Sequence, residues 1–278
     1  MSAAHPLPLP DPPRGFHYYR DAEEILRAPE LFAYQHMLLR AWGEMGLSGV
    51  LTLNGIPTVY VRDVPKPLTA AEAAAAQCQF WNQGVATVML LRDPQKWRVF
   101  SSMTAPVDPS SATEADINDR LVESLDLATQ ASWASRFYLQ LGTGHYYAAD
   151  RETKFKPEEA VDAYLLRNLA AVRNELVKQG LQPRFAHAFL GRILFTCYLC
   201  DRGLIKLPNY FKGRSWSRLH DLLAPSEDPL PALYDTLFPA LKADFNSSMF
   251  DDDDLDTERA LIRPAHFDAV RRFLHGDN

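Results

Sequence analysis

Val50-Leu-Thr-Leu-Asn54-Gly55-Ile56-Pro57-Thr58-Val59-Tyr60-Val61-Arg62 is two β-rich runs joined by Asn-Gly. A two-residue type I′ turn needs positive φ at both central positions, and Asn-Gly adopts it at least steric cost. The stretch therefore predicts a β-hairpin. On either side the apolar period changes. Upstream, Ile25, Leu26, Leu31, Phe32, Tyr34, Leu38, Leu39 and Trp42 fall at helical spacing between Asp21 and Met45, with Pro29 breaking or starting a helix. Downstream, Thr69-Ala-Ala-Glu72 is a capping box opening an alanine-rich helix to about Trp81, stopped by Asn82-Gln83-Gly84. Two further strands, Ala86 to Leu91 and Trp97 to Ser101, flank Asp93-Pro-Gln-Lys96. The order helix, strand, strand, helix, strand, strand predicts a small α/β domain over residues 15–105.

Pro106 to Thr113 is rich in Pro and Ser and predicts a linker over 106–115. Beyond it the apolar period is helical. Ile117, Leu121, Leu125, Ala128, Trp133 and Phe137 predict a helix from Asp116 to about Gln140. A second helix follows Pro157, a third runs from Arg184 to Asp201, and shorter ones lie near Pro231–Ala243 and Pro264–Leu274. The predicted class is α+β, the α/β domain being followed by an all-α helical bundle over 116–278. Five prolines among residues 1–14 predict an extended arm.

At 278 residues the chain exceeds one typical domain, and 47% hydrophobic content suffices for a sizeable core. No apolar run approaches the roughly 20 residues of a membrane span, and a basic-then-apolar leader is missing, so no membrane partner is expected. Cys78, Cys197 and Cys200 are an odd set, which points to a reducing, cytoplasmic setting. Cys197 and Cys200 lie inside an apolar helical run without a second pair, which reads as core thiols rather than zinc ligands. The histidines are scattered, and no pair has the spacing of two metal ligands on one helical face.

Net charge is −6, yet the distribution is uneven. Arg151 to Arg218 holds 13 Lys/Arg against 6 Asp/Glu, whereas Asp221 to Glu258 holds 11 Asp/Glu against one Lys. The basic stretch either contacts phosphates, which Lys and Arg neutralise whatever the sequence, or pairs with the acidic one. The loop-like residues Arg151, Lys154, Lys156, Lys206, Lys212, Arg214 and Arg218 are the candidate DNA contacts. Arg192 and Arg202, on a largely apolar helix, read as partners of Asp201 or as helix caps. The Asp251–Asp254 run reads as a solvated loop without the spaced ligands of a calcium site.

Two stretches carry a family resemblance. The first is Arg184-Phe-Ala-His-Ala-Phe-Leu-Gly-Arg192-Ile-Leu-Phe195-Thr-Cys-Tyr198-Leu-Cys-Asp201-Arg202-Gly203-Leu204. The second is Leu237-Phe-Pro-Ala-Leu-Lys-Ala-Asp244-Phe245-Asn246-Ser247-Ser-Met-Phe250, followed by His266 and Leu274. Together they resemble the helical segment ahead of the catalytic domain in adenine-specific DNA methyltransferases of single-chain (type IIG-like) restriction–modification and phage-defence systems. Ser247 stands where that pattern has Gly. The resemblance implies double-stranded DNA and a methyltransferase domain as partners, the latter in the same polypeptide or a separate subunit. S-adenosylmethionine would belong to that domain. This chain lacks the Asn-Pro-Pro-Tyr/Phe turn that grips a flipped adenine, and Leu141-Gly-Thr-Gly-His follows a helical run rather than a strand, so no cofactor is expected here.

The α/β domain resembles the PD-(D/E)XK nuclease fold that such enzymes carry ahead of the methyltransferase, with Pro67, Gln77, the Trp81-Asn-Gln-Gly turn and Trp97-Arg-Val adding to the likeness. An active member places an acid after a Pro and a Glu-x-Lys on the next strand, so that two carboxylates hold Mg²⁺. Here Thr58 follows Pro57, and Tyr60-Val-Arg62 occupies the Glu-x-Lys slot, so a degenerate, non-cutting domain is implied. Two alternatives stand beside it: a Mg²⁺-dependent nuclease using Asp63, Lys66 and Glu72, and a protein–protein adaptor of a defence system.

Overall fold

The computed structural model describes residues 9–126, 130–245, 247–250 and 252–275. The Asn54-Gly55 signal does what its chemistry requires: φ is 50° at Asn54 and 79° at Gly55, and the turn joins Gly49–Leu53 (β2) to Ile56–Asp63 (β3). Ahead of it lie a strand at Phe16–Tyr19 (β1), helices Ala22–Arg27 (α1) and Gln35–Met45 (α2), and a 3-10 turn opened by Pro29. The Thr69/Glu72 capping box is formed and starts Ala70–Gln83 (α3), which Gly84 ends in the left-handed region. Val88–Arg92 (β4) and Lys96–Ser101 (β5) follow.

The sheet is mixed, with strands in the order β1-β2-β3-β4-β5 and then Leu121–Asp126 (β6) at the edge. Neighbours are antiparallel except β3 and β4, which run parallel because α3 carries the chain across. Both faces are covered, which explains why β4 is buried at every position rather than at alternate ones. On one face Val50, Tyr60, Met89, Leu91 and Phe100 pack on Ile25, Leu38, Ala73 and Phe80. On the other, Leu51, Val59, Val61, Leu90, Trp97 and Val99 meet Trp133, Phe137, Tyr138 and Leu141 of Gln130–Thr143 (α5). Trp97 and Trp133 meet edge to face at 6.3 Å, both buried. Truncating either to Ala removes about 3–5 kcal/mol of packing.

The continuous helix expected from Asp116 to Gln140 is corrected. Glu114–Arg120 (α4) is helical, with Thr113 and Asp116 in a capping box, but the chain then turns extended into β6 before α5 begins. The misreading has a physical cause. Leu121 and Leu125 are four apart, a spacing that suits both a helical face and one face of a strand. What decides is the free edge of β5, which β6 pairs antiparallel. The short run Phe16–Tyr19 is a further strand beyond those the sequence predicts; it pairs with β2.

The chain divides into compact units at Tyr164/Leu165, well beyond the expected linker at 106–115. Residues 1–8 of the expected arm lie outside the described residues. Its remaining end is docked, because the Tyr138 hydroxyl donates to the Pro10 carbonyl at 3.0 Å and Leu9 packs on the core.

In the second unit every element among the described residues is helical. Val161–Lys178 (α6) leads into it, and Pro183–Asp201 (α7) forms its centre. Leu207–Tyr210 (α8), Leu219–Leu222 (α9) and Pro229–Pro231 (α10) are short. A π-helical turn at Ala232–Leu237 continues into Phe238–Phe245 (α11), and Asp252–Leu261 (α12) and Pro264–His275 (α13) complete the unit. The expected solvated loop at Asp251–Asp254 is corrected from Asp252 onward, where the backbone is helical; Asp251 lies outside the described residues. No helix among the described residues is long and apolar enough to cross a membrane.

Candidate nucleic-acid interface

Helix α7 buries Phe185, Phe189, Ile193 and Leu199 along one stripe, which leaves Tyr198 on the outer face. Its end is a Schellman motif. Gly203, at φ 66°, donates to the Cys200 carbonyl at 2.9 Å, and Leu204 donates to the Leu199 carbonyl at 3.0 Å. Arg202 is thereby fixed one turn from Tyr198, with its guanidinium 5.4 Å from the ring centroid. A cation at this position also suits the negative end of the helix dipole.

The next stretch alternates buried anchors with exposed cations. Ile205, Leu207, Trp216 and Leu219 are buried, while Lys206, Lys212, Arg214 and Arg218 are exposed. Lys212 and Arg214 flank Gly213, whose φ of 84° lets the Arg214 amide close a turn onto the Phe211 carbonyl at 3.2 Å. Trp216 packs edge to face on Phe211 at 5.0 Å, and Arg214 lies 4.9 Å over the Trp216 ring. The Asp221 carboxylate accepts from the Ser217 and Arg218 amides at 2.7 and 2.9 Å, and these bonds lower its pKa. That acid is spent on holding the loop. From Arg202 to Arg218 the sequence has five Lys/Arg and no Asp or Glu. Exposed Arg214 faces half-buried Glu227 at 3.4 Å, a long and partly solvated pair of small value. Lys206, Lys212 and Arg218 have no ion-pair partner among the described residues.

The three candidates in the first unit are differently placed. Arg151 is mostly buried, paired with Glu123, and lies 4.8 Å over the Tyr146 ring. Glu123 also accepts from the Trp133 indole, so Arg151 belongs to the packing beside α5. Lys154 donates to the Asp119 carbonyl, and Lys156 meets Glu159 at 3.1 Å. These cations are engaged within their own unit, a commitment that loop-like sequence did not reveal.

One further reading is corrected. Arg192 pairs with the fully buried Glu258 rather than with Asp201, and its Nε donates to the Met249 carbonyl at 2.7 Å. Tyr234 donates its hydroxyl to the same Glu258. Leu141-Gly-Thr-Gly-His is the end of α5, with Gly144 at φ 77° making the turn. Cys197 and Cys200 pack against the helical core, and burial raises their thiols to about 12 and about 11.

At the alternative nuclease site the groups are bound to one another. Both Asp63 oxygens accept from Arg92, Nε to Oδ1 at 2.6 Å and Nη2 to Oδ2 at 2.8 Å. Glu72 closes the capping box of α3 and accepts from Lys66 at 2.8 Å. A cleft of about 270 Å³ is lined by Arg62, Lys66, Glu72 and Gln79, so its single carboxylate is already engaged and two cations share it. Paired carboxylates converging on an open position, the requirement for a catalytic divalent ion, are not formed by these residues.

No family model matches this chain, and neither a curated protein nor a solved structure matches it.

Proposed function

We propose that this chain is the non-catalytic N-terminal region, or a separate subunit, of a restriction–modification-type adenine DNA methyltransferase in the cytoplasm. In this reading the helical unit holds double-stranded DNA next to the methyltransferase domain, and S-adenosylmethionine is bound by that domain. The α/β unit is a degenerate nuclease-like scaffold that couples the two without cutting; the Asp63–Arg92 pair supports its inactivity. The observation that carries the proposal is the acid-free segment Arg202–Arg218. There buried Ile205, Leu207 and Trp216 hold a loop whose cations face solvent, as phosphate contacts require.

Titrating labelled duplex at low and moderate salt tests it. Lys212→Ala with Arg214→Ala should weaken binding to all duplexes alike and flatten the salt slope by about two charges' worth. Unchanged affinity and slope would favour the adaptor reading instead, which the Arg214–Glu227 contact supports.

A further inference from the structure

We propose that Tyr198, with Arg202 over its ring, is a stacking platform for an unpaired base of a nucleic-acid strand. The proposal rests on the reading above, in which the adjoining cations contact the backbone, and it adds what that strand presents. Tyr198 is 49% exposed on a helix whose opposite face is packed, so the ring contributes little to the core. The Schellman end of α7 holds the Tyr198–Arg202 pair in register, with the flat guanidinium seated over the aromatic ring. Both groups stack on any base, because every base has a π-face.

A second aromatic pair begins one turn earlier on the same helix. Phe195, one turn before Tyr198, meets Phe245 edge to face at 6.4 Å, and Phe245 is 38% exposed. The neighbouring carboxylate, Asp244, accepts from the Tyr210 hydroxyl at 2.6 Å. Asp201 is the one exposed acid adjoining the pair in sequence. Downstream of Arg202 the cations Lys206, Lys212, Arg214 and Arg218 supply the complementary charge. Aromatic faces beside a cationic track are what single strands use, whereas the bases of an intact duplex are already stacked on one another.

The experiment compares a blunt duplex, the same duplex with a single-stranded overhang, and the free single strand. Wild type, Tyr198→Ala, Tyr198→Phe and the Lys212→Ala/Arg214→Ala double variant are each titrated, with a thermal melt confirming that each is folded. Tyr198→Ala should weaken single-strand and overhang binding about tenfold, the size of one base–aromatic stack. Blunt-duplex affinity should stay unchanged, and Tyr198→Phe should bind as wild type. If Tyr198→Ala binds the single strand normally, or loses duplex and single strand equally, the platform is refuted; a cation double variant still impaired on duplex then leaves the DNA reading standing. If the double variant binds every ligand as wild type does, that underlying reading fails.

Discussion

Arg92 and Asp63 face each other across the parallel pair β3–β4 and share two hydrogen bonds, at 2.6 and 2.8 Å. The Arg92 side chain is 5% exposed and also lies 5.0 Å from the Trp97 ring, whereas Asp63 is 30% exposed. This asymmetry sets what each substitution does. Removing Asp63 takes a bidentate carboxylate from a buried guanidinium, while removing Arg92 leaves a carboxylate that water reaches. Asp63→Ala should therefore lower stability by about 2–3 kcal/mol, below the full cost of breaking a buried pair. Arg92→Met should cost less, and the double variant should recover part of the loss. Urea unfolding of the three variants checks this; equal losses for the two single variants would contradict it.

In the helical unit the corresponding pair is Arg192 with Glu258, at 3% and 0% exposure. Arg192→Ala should cost about 3–5 kcal/mol, because Glu258 would keep its charge without its main partner. Tyr234→Phe should cost about 1.5–3 kcal/mol, the range for a hydrogen bond to a charged group. Replacing Arg192, Glu258 and Tyr234 together by Met, Leu and Phe should restore much of the stability. A double-mutant cycle from chemical unfolding gives the coupling directly; additive losses would show that the three groups do not act as one network.

Local chemistry was legible in the sequence where one residue type meets one geometric demand. Asn54-Gly55 could only serve a tight hairpin, Thr69 and Glu72 a helix start, and Gly203 a helix end. Tertiary choices were not legible. Leu121 and Leu125 satisfy two periods at once, and the decision comes from β5, whose edge needs a partner. The cations were indistinguishable as letters: Arg151 and Arg218 both stand in loop-like sequence. Only the fold shows that Glu123 and Tyr146 take up the first, while the second reaches solvent. Tyr198 and Arg202 did carry a signal, an aromatic and a cation four residues apart at a helix end.

The capping box of α3 gives a pH prediction. A bond from Lys66, with bonds from the Thr69 amide and hydroxyl, holds the Glu72 carboxyl down to about 2 from an ordinary 4.5. A depressed carboxylate contributes stability that is complete above its unfolded value and lost as pH falls through the folded one. The stability difference between wild type and Glu72→Gln should therefore be constant at neutral pH. It should close on acidification from about pH 5 towards pH 2, because protonation removes the ionised acceptor that Gln also lacks. Thermal melts of both proteins across that range check the sign. A gap that widened on acidification would mean that Glu72 is not the stabilising partner of Thr69 and Lys66.

The two groups of candidate cations should separate experimentally. Lys206, Lys212 and Arg218 are exposed and lack ion-pair partners among the described residues, so each one replaced by Ala should reduce the salt slope of duplex binding by roughly one and leave the melting temperature nearly unchanged. Arg151 is held by Glu123 and the Tyr146 ring, so Arg151→Ala should do the reverse. Its loss leaves a mostly buried Glu123 with, among the described residues, the Trp133 indole alone, which should cost about 2–3 kcal/mol while the salt slope stays at the wild-type value. Lys154→Ala and Lys156→Ala should likewise leave DNA binding unchanged, since their ammonium groups are engaged with the Asp119 carbonyl and Glu159. Binding isotherms at several salt concentrations, paired with melts of the same samples, distinguish a lost phosphate contact from a loosened fold. A flattened slope in Arg151→Ala with an unchanged melt would place the interface on the α/β unit and overturn the assignment to Arg202–Arg218.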